Sequence, residues 1–354
     1  MNRRQQLSAR TVTGGVFALF GIAACASTAM PRKVVDAPVA ESQVRAVMSV
    51  LADDSLEGRM TGSRGSAKAA TFIAQQMGAV GLVAAGDSGF FQRVPIALTR
   101  RSNGQERLTL VTDFAALDKF PADQRRPGVN VVGMIRGSDT VLAKEVVLVD
   151  AHYDHLGIGK PVNGDSIYNG ADDDASGTTA VVEIARSIAA GPPPKRTILF
   201  VATTGEEVGL LGTRWFIEHP PVSLRSIVSN LEIEMIGRPD SLAGGRGRAW
   251  LTGYERSTMG AMFTAAGLPI VPDARPTQHF FERSDNIAYA QMGIPAHTLS
   301  TFNLHTDYHR PSDELSRIDF NHMTRVIQAG VQAVRILADG PAPRWNAGGR
   351  PAPR

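Results

Sequence analysis

Short apolar runs, each about the length of one strand, alternate along this chain with stretches of helical periodicity. That alternation limits the possible folds more than any other feature. The strand-like runs are Arg107–Val111, Val129–Ile135, Glu145–Ala151, Thr197–Ala202, Ile227–Glu234, Arg248–Leu251 and Pro295–Leu299. Several are apolar almost throughout, as strands covered on both faces must be. Between them, Val44–Leu51, Ser66–Met77, Ser176–Ala190, Leu210–Glu218, Arg256–Ala266 and Phe320–Leu337 follow a helical repeat. In the last of these, Met323, Val326, Ile327, Val331, Val334 and Leu337 recur at three- and four-residue spacing, which makes one apolar stripe and predicts core contact. The expectation is an α/β fold: a mostly parallel, mixed central sheet with helices on both faces. In such sheets, function gathers at the carboxyl ends of the strands.

The ends of the chain read differently. Residues 1–10 carry Arg3, Arg4 and Arg10, and residues 11–24 are uncharged and rich in Val, Phe, Leu, Ile, Ala and Gly. That apolar stretch is shorter than the roughly 20 residues of a membrane-spanning helix but suits the core of a signal peptide. It runs into Gly21-Ile22-Ala23-Ala24-Cys25, which resembles the lipobox of bacterial lipoproteins. On that reading residues 1–24 are removed, Cys25 carries lipid, residues 25–40 form a tether, and the protein sits in the periplasm or cell envelope. Membrane contact would then run only through that lipid. Residues 41–340 are expected to form a single domain. Residues 341–354, rich in Pro and Gly, are expected to be disordered.

The formal charge of +3 comes from 37 Lys and Arg against 34 Asp and Glu, and the three leader arginines account for all of it. No concentrated basic face remains for nucleic acid, and none is expected as a partner. A single Cys permits neither an internal disulfide nor a thiolate metal cluster. Any metal must be held by His and carboxylates.

Those residue types cluster after the strand runs. His152-Tyr153-Asp154-His155 follows the third run, and Asp172-Asp173-Asp174 opens a helix. Glu206-Glu207 follows the fourth run, Glu234-Met235-Ile236-Gly237-Arg238 closes the fifth, and His305 to Asp313 forms a late loop. Singly, each has an ordinary explanation: a loop histidine, a helix cap, a solvated acidic pair. Together they would crowd like charges at one sheet edge, which is strongly unfavourable without a cation. Oxygen and nitrogen donors suit zinc or a related divalent ion.

In this order, the motifs H-Y-D-H, G-A-D-D-D-A-S-G, G-E-E, E-M-I-G-R and Y-H-x-x-x-D resemble the co-catalytic dizinc aminopeptidase family. Its relatives include glutamate carboxypeptidase-like and transferrin-receptor-like ectodomains, and it shares its fold with glutaminyl cyclases. Leu56-Glu57-Gly58-Arg59 is similar to a family segment ahead of the first helix. The resemblance implies a zinc-exopeptidase-like fold and two zinc ions, one on His152 and Glu234, the other on Glu207 and His309, with Asp173 bridging. It further implies Glu206 as general base toward a zinc-bound hydroxide, Asp154 orienting His152, and Tyr308 stabilising the oxyanion. In relatives the peptide bond after the bridging Asp is cis. Peptide substrates cut at the N-terminal bond are the implied partners. The alternatives are a glutaminyl-cyclase-like acyltransferase with one zinc and a non-catalytic ectodomain. Glu232 is an alternative ligand to Glu234, His155 and His305 are expected just outside the ligand set, and Met235, Phe280, Phe281 and Phe302 are candidates for an apolar pocket.

Overall fold

The computed structural model describes residues 36–353; the leader and Cys25 lie outside the described residues. The strands are β1 (Val83–Ala84), β2 (Phe91–Val94), β3 (Ile96–Arg100), β4 (Glu106–Leu110), β5 (Gly128–Ile135), β6 (Val146–His152), β7 (Gly157–Val162), β8 (Asp165–Tyr168), β9 (Thr197–Thr203), β10 (Ile227–Glu234), β11 (Ala249–Leu251), β12 (Ile270–Pro272) and β13 (Ala296–Ser300). The helices are α1 (Glu41–Leu51), α2 (Arg64–Ala79), α3 (Phe114–Leu117), α4 (Gly177–Ala189), α5 (Leu211–Glu218), α6 (Met259–Ala265), α7 (Asn286–Gln291) and α8 (Phe320–Asp339).

One nine-stranded sheet runs β1-β5-β9-β6-β10-β13-β11-β12, with β2 also on β5. Its centre, β9-β6-β10-β13, is parallel, as the apolar runs predict. The flanks are mixed: β1, β2 and β9 are antiparallel to β5, and β11 is antiparallel to β13. β6 and β9 are buried at every position because helices cover both faces. Val147, Val149 and Ala151 face the cluster built with α1, α2, α4 and α8. Val146 and Leu148 face the opposite cluster with Phe216 of α5 and Tyr289 of α7. The whole predicted stripe of α8, from Met323 to Leu337, is buried in the first cluster. α8 starts at Asp319, whose side chain accepts the His322 N–H.

Three differences from expectation stand out. The run at Arg107–Val111 is no central strand but pairs with β3 in a separate hairpin. A second hairpin, β7-β8, lies between the H-Y-D-H and D-D-D motifs. The segment after 340, expected to be disordered, lies against the body. The Trp345 indole donates to the Gly293 carbonyl at 2.9 Å, and Ser257 pairs with Trp345 in an isolated antiparallel bridge. Pro and Gly do exclude a helix there, but one half-buried, hydrogen-bonded indole is enough to anchor an irregular chain.

Two histidines are locked neutral inside this frame. His297 Nδ1 donates to the Thr252 carbonyl while Nε2 accepts from the Ser257 hydroxyl, each at 2.7 Å. His322 Nδ1 accepts the Gly247 N–H at 2.8 Å, so a proton there would face a donor. Burial pushes both imidazoles down to about 4. In the unfolded chain each takes up its proton near 6.5, so their stabilisation is complete above that pH and lost as pH falls toward 4. In denaturant unfolding across pH 4–6.5 these two rings therefore add a positive contribution to the slope of stability against pH. His322→Asn should make that slope shallower by up to about 1.4 kcal/mol per pH unit, the value for one proton. An unchanged slope contradicts the assignment.

Candidate metal centre

The parallel central strands bring their carboxyl ends to one edge, and the site grows from them. His152 is the last residue of β6, Glu206 and Glu207 follow β9, and Glu234 ends β10. Asp173 lies in the irregular turn 171–176 that opens α4, and the Asp173–Asp174 peptide bond is cis. His309 comes from the loop after β13 and has a positive φ of 57°.

Asp173 is the meeting point. Its Oδ1 lies 3.3 Å from His152 Nε2, and its Oδ2 lies 3.1 Å from His309 Nε2. On one side His152, Asp173 and Glu234 each bring a ligand atom within 4.8 Å of the others. On the other, His155, Asp173 and Glu207 do the same. Glu207 is shared by two imidazoles, with Oε1 at 2.7 Å from His155 Nδ1 and Oε2 at 3.2 Å from His309 Nε2. All five sequence-predicted ligands thus converge. His155, expected one layer out, is fully buried and faces Glu207 beside His309, which is 37% exposed.

The atoms facing this space stand close to one another but form no hydrogen bonds. His152 Nε2, His155 Nδ1, Asp173 Oδ2 and Glu207 Oε1 are buried without a hydrogen bond. Burial, joined by repulsion from neighbouring carboxylates, pushes Glu206 and Glu234 well above the usual carboxylate range. Against its own burial, the His152 and His309 imidazoles hold Asp173 well below it. Orphaned imidazole nitrogens set among uncompensated carboxylates are the donor set of a divalent cation pair, and these residues fit zinc.

The surrounding residues hold these in place. Asp174 accepts the Gly177 and Met235 N–H groups, both at 2.9 Å. Asp172 accepts the Gly237 N–H at 2.7 Å and pairs with His305 at 2.9 Å. Asp172 is engaged at both oxygens and Asp174 at Oδ1, whereas both oxygens of Asp173 face imidazoles. Asp313 accepts the N–H groups of Asp172 and Asp173, and Arg238 ties it to Asp307. Asp154 departs from expectation in detail. His152 Nδ1 donates at 3.1 Å to the Asp154 main-chain carbonyl, while the carboxylate stands 3.8 Å away. The carboxylate instead accepts from Thr61 Oγ1 at 2.9 Å and from the Glu206 N–H at 3.2 Å, fixing the turn that carries both glutamates. Glu232 is fully engaged elsewhere, accepting from Ser284, Thr298 and the Asp285 and Asn286 N–H groups, so Glu234 is the residue that faces the metal space.

Beside Glu234 opens a small cavity of about 30 Å³ lined by Met235, Trp250, Phe280, Phe302, Tyr308 and others. Phe281 does not join it; that ring packs in the cluster under α5 and α7. The Tyr308 ring stacks on His309 at 3.9 Å. Burial and the carboxylates of Asp173 and Glu234 push its phenol up, so it remains a neutral donor. A second groove, lined by Glu206, Leu210, Arg214, Ile217 and Arg283, leads out past α5 and α7.

The pattern of peptidase family M28 matches residues 130–334. The aminopeptidase YwaD of Bacillus subtilis is 26% identical over 243 residues, covering 67% of this chain and 49% of that protein. The chain thus spans about half the length of that relative. Among solved structures, the zinc aminopeptidase BSAP from Bacillus subtilis aligns with a TM-score of 0.60 at 15% identity, over 86% of this chain and 96% of that one. The glutaminyl cyclase of Porphyromonas gingivalis aligns with a TM-score of 0.58 at 15% identity, over 84% of this chain and 99% of that one. At such identity both show a shared fold.

The shared position of Asp173 makes a stoichiometric prediction. Metal analysis after dialysis should find two zinc ions per wild-type chain and fewer than one in Asp173→Ala, whereas Glu234→Ala should retain one. Two ions retained by Asp173→Ala would contradict the bridging position.

Proposed function

Because this chain belongs to peptidase family M28, we propose that it is a zinc-dependent aminopeptidase that hydrolyses the N-terminal bond of peptides. The observation that carries this reading is Asp173, which turns one carboxylate oxygen to His152 and the other to His309, with Glu206 beside them. His152, Asp173 and Glu234 would hold one zinc ion, and Asp173, Glu207 and His309 the other, with His155 a further donor to the second. When bound, such a pair would acidify a shared water toward neutral pH and polarise the scissile carbonyl.

The protein's own groups supply the remainder. The Glu206 carboxylate takes the proton of the attacking water and hands it to the leaving amine. Asp154, by accepting the Glu206 N–H, fixes the turn so that Glu207 faces Asp173 while Glu206 faces the groove. The neutral Tyr308 phenol donates to the developing oxyanion. The small cavity beside Glu234, walled by Trp250, Phe280 and Phe302, faces the terminal side chain with an apolar surface. A glutaminyl-cyclase-like reaction shares this fold but uses one zinc. The complete second group around Glu207 favours the two-ion hydrolase.

We further propose that the leader directs this chemistry outside the cytoplasm, with residues 1–24 as signal peptide and Cys25 as lipid anchor in the cell envelope. Of the expected tether 25–40, Asp36 pairs with Arg335 and the Val39 N–H donates to Gln328, so its last residues lie on the body. Among the described residues no helix is long and apolar enough to cross a membrane.

Glu206→Gln should lower turnover on an aminoacyl anilide by about 10²–10⁴-fold, the usual worth of general acid–base help, while both zinc ions stay bound. A variant turning over near the wild-type rate would remove Glu206 from the base role. For the anchor, mass spectrometry of membrane-extracted protein should show lipidated Cys25 as first residue, and Cys25→Ser should release the protein into the soluble envelope fraction. An unmodified N-terminus other than Cys25 would exclude the anchor.

A further inference from the structure

The Leu56-Glu57-Gly58-Arg59 segment has no part in the mechanism above, yet it delivers a charge to the heart of the molecule. Glu57, Gly58 and Arg59 all take positive φ, at 52°, 64° and 52°. At Gly58 this turn presses against the β7-β8 hairpin: a Cβ there would stand 2.5 Å from the Tyr168 carbonyl and 2.7 Å from that of Gly157. The Arg59 side chain is thereby sent inward, and the residue is only 1% exposed.

None of its hydrogen bonds goes to a carboxylate. Nε donates to the Tyr153 carbonyl at 2.7 Å, Nη1 to those of Leu51 and Asn169, the latter at 2.6 Å, and Nη2 to that of Gly170 at 3.0 Å. Tyr153 sits between His152 and Asp154. Asn169 and Gly170 lead directly into the Asp172–Asp174 turn. One guanidinium therefore bolts together the two backbone segments that present His152 and Asp173, which are joined in sequence only through the β7-β8 excursion. The fit is tight: a Cβ at Gly170 would stand 2.1 Å from the Asp173 carbonyl and 2.5 Å from His155 Cγ.

Burying an unpaired cation costs several kcal/mol unless hydrogen bonds and opposite charge offset it. Here the offset comes from those carbonyls and from the field of Asp154, Asp174, Asp173 and Asp313. The relation is mutual, since those carboxylates repel one another and need a nearby positive charge. A planar fork with five donors spans carbonyls on separate segments; the single ammonium of a lysine cannot.

We propose that Arg59 is the positioning residue of the metal centre: its fork fixes the His152 and Asp173 segments to each other, and its charge lets the acidic site assemble before metal arrives. The role rests on the two-zinc reading but concerns the metal-free protein as much as the loaded one.

The test is zinc titration of metal-free protein against a chromophoric chelator, with wild type, Arg59→Lys and Leu337→Ala compared at a temperature where all are folded by circular dichroism. Leu337 is a fully buried core residue of α8, so its truncation destabilises the fold without touching the site. Arg59→Lys keeps the charge and loses the fork. It should bind zinc about 10–100-fold more weakly, the usual cost of removing an outer support of a metal site, while Leu337→Ala binds as wild type. If Arg59→Lys loads zinc as tightly as wild type, or if Leu337→Ala weakens it equally, the positioning role is overturned. If wild type takes up no zinc at all, the metallopeptidase reading itself fails. Should Arg59→Lys not fold, hydrogen exchange on the wild type decides. Amides of 151–156 and 168–177 should be nearly as protected without zinc as with it, and free exchange there in the metal-free protein overturns the proposal.

Discussion

Mutual repulsion among buried carboxylates is the constraint around which this molecule is arranged. Asp154, Asp173 and Asp174, fully buried, and Glu206 and Glu234, half-buried, all lie at one edge of the sheet or just behind it. An apolar α/β core alone would not tolerate that concentration of charge. The protein distributes the load in three ways. Asp172 engages the Gly237 N–H and His305, Asp174 accepts two backbone N–H groups at Oδ1, Asp173 and Glu207 turn to imidazoles, and Arg59 places a cation underneath. Even so, several of these facing atoms, His152 Nε2, His155 Nδ1 and Glu207 Oε1 among them, lie close together without forming a hydrogen bond. The cation pair inferred for this site answers that lack.

The parallel centre of the sheet makes the arrangement possible. Because β9, β6 and β10 run in the same direction, their terminal residues emerge side by side, and three short motifs far apart in sequence become neighbours. The helices on both faces give most strand-interior positions to packing, and the polar exceptions, Asp150, Asn230 and Glu232, are tied into hydrogen bonds inside the frame. Polar chemistry is thereby confined to the loops, where His155, Asp173 and His309 complete the set. The same logic accounts for the neutral histidines. His297 and His322 lie away from the metal space and are held by carbonyl, hydroxyl and amide partners that suit only the uncharged ring.

Much of this was legible in the sequence, because the signals were local. Apolar runs such as Val146–Ala151 and the α8 stripe carry their own periodicity, and the five predicted ligands each follow a strand or open a helix. What sequence reading missed depends on long-range placement. His155 looked like a neighbour of the ligands; the close approach of the Gly170 turn brings its ring against Glu207. Asp154 was expected to use its carboxylate on His152 and uses its main-chain carbonyl instead, a choice set by backbone direction. Arg59 stood only within a segment similar to one of the family's, since nothing in its sequence neighbourhood reveals carbonyl partners some hundred residues away. The Pro- and Gly-rich end was expected to lack structure because composition registers the missing helix and strand but not an indole anchored at Gly293.

The most direct measurement of the central claim is anomalous scattering at the zinc absorption edge from crystals grown with zinc. The account predicts two peaks flanking the Asp173 carboxylate, one against His152 and Glu234 and one against Glu207 and the facing imidazoles. A single peak, or none on either side of Asp173, would contradict it.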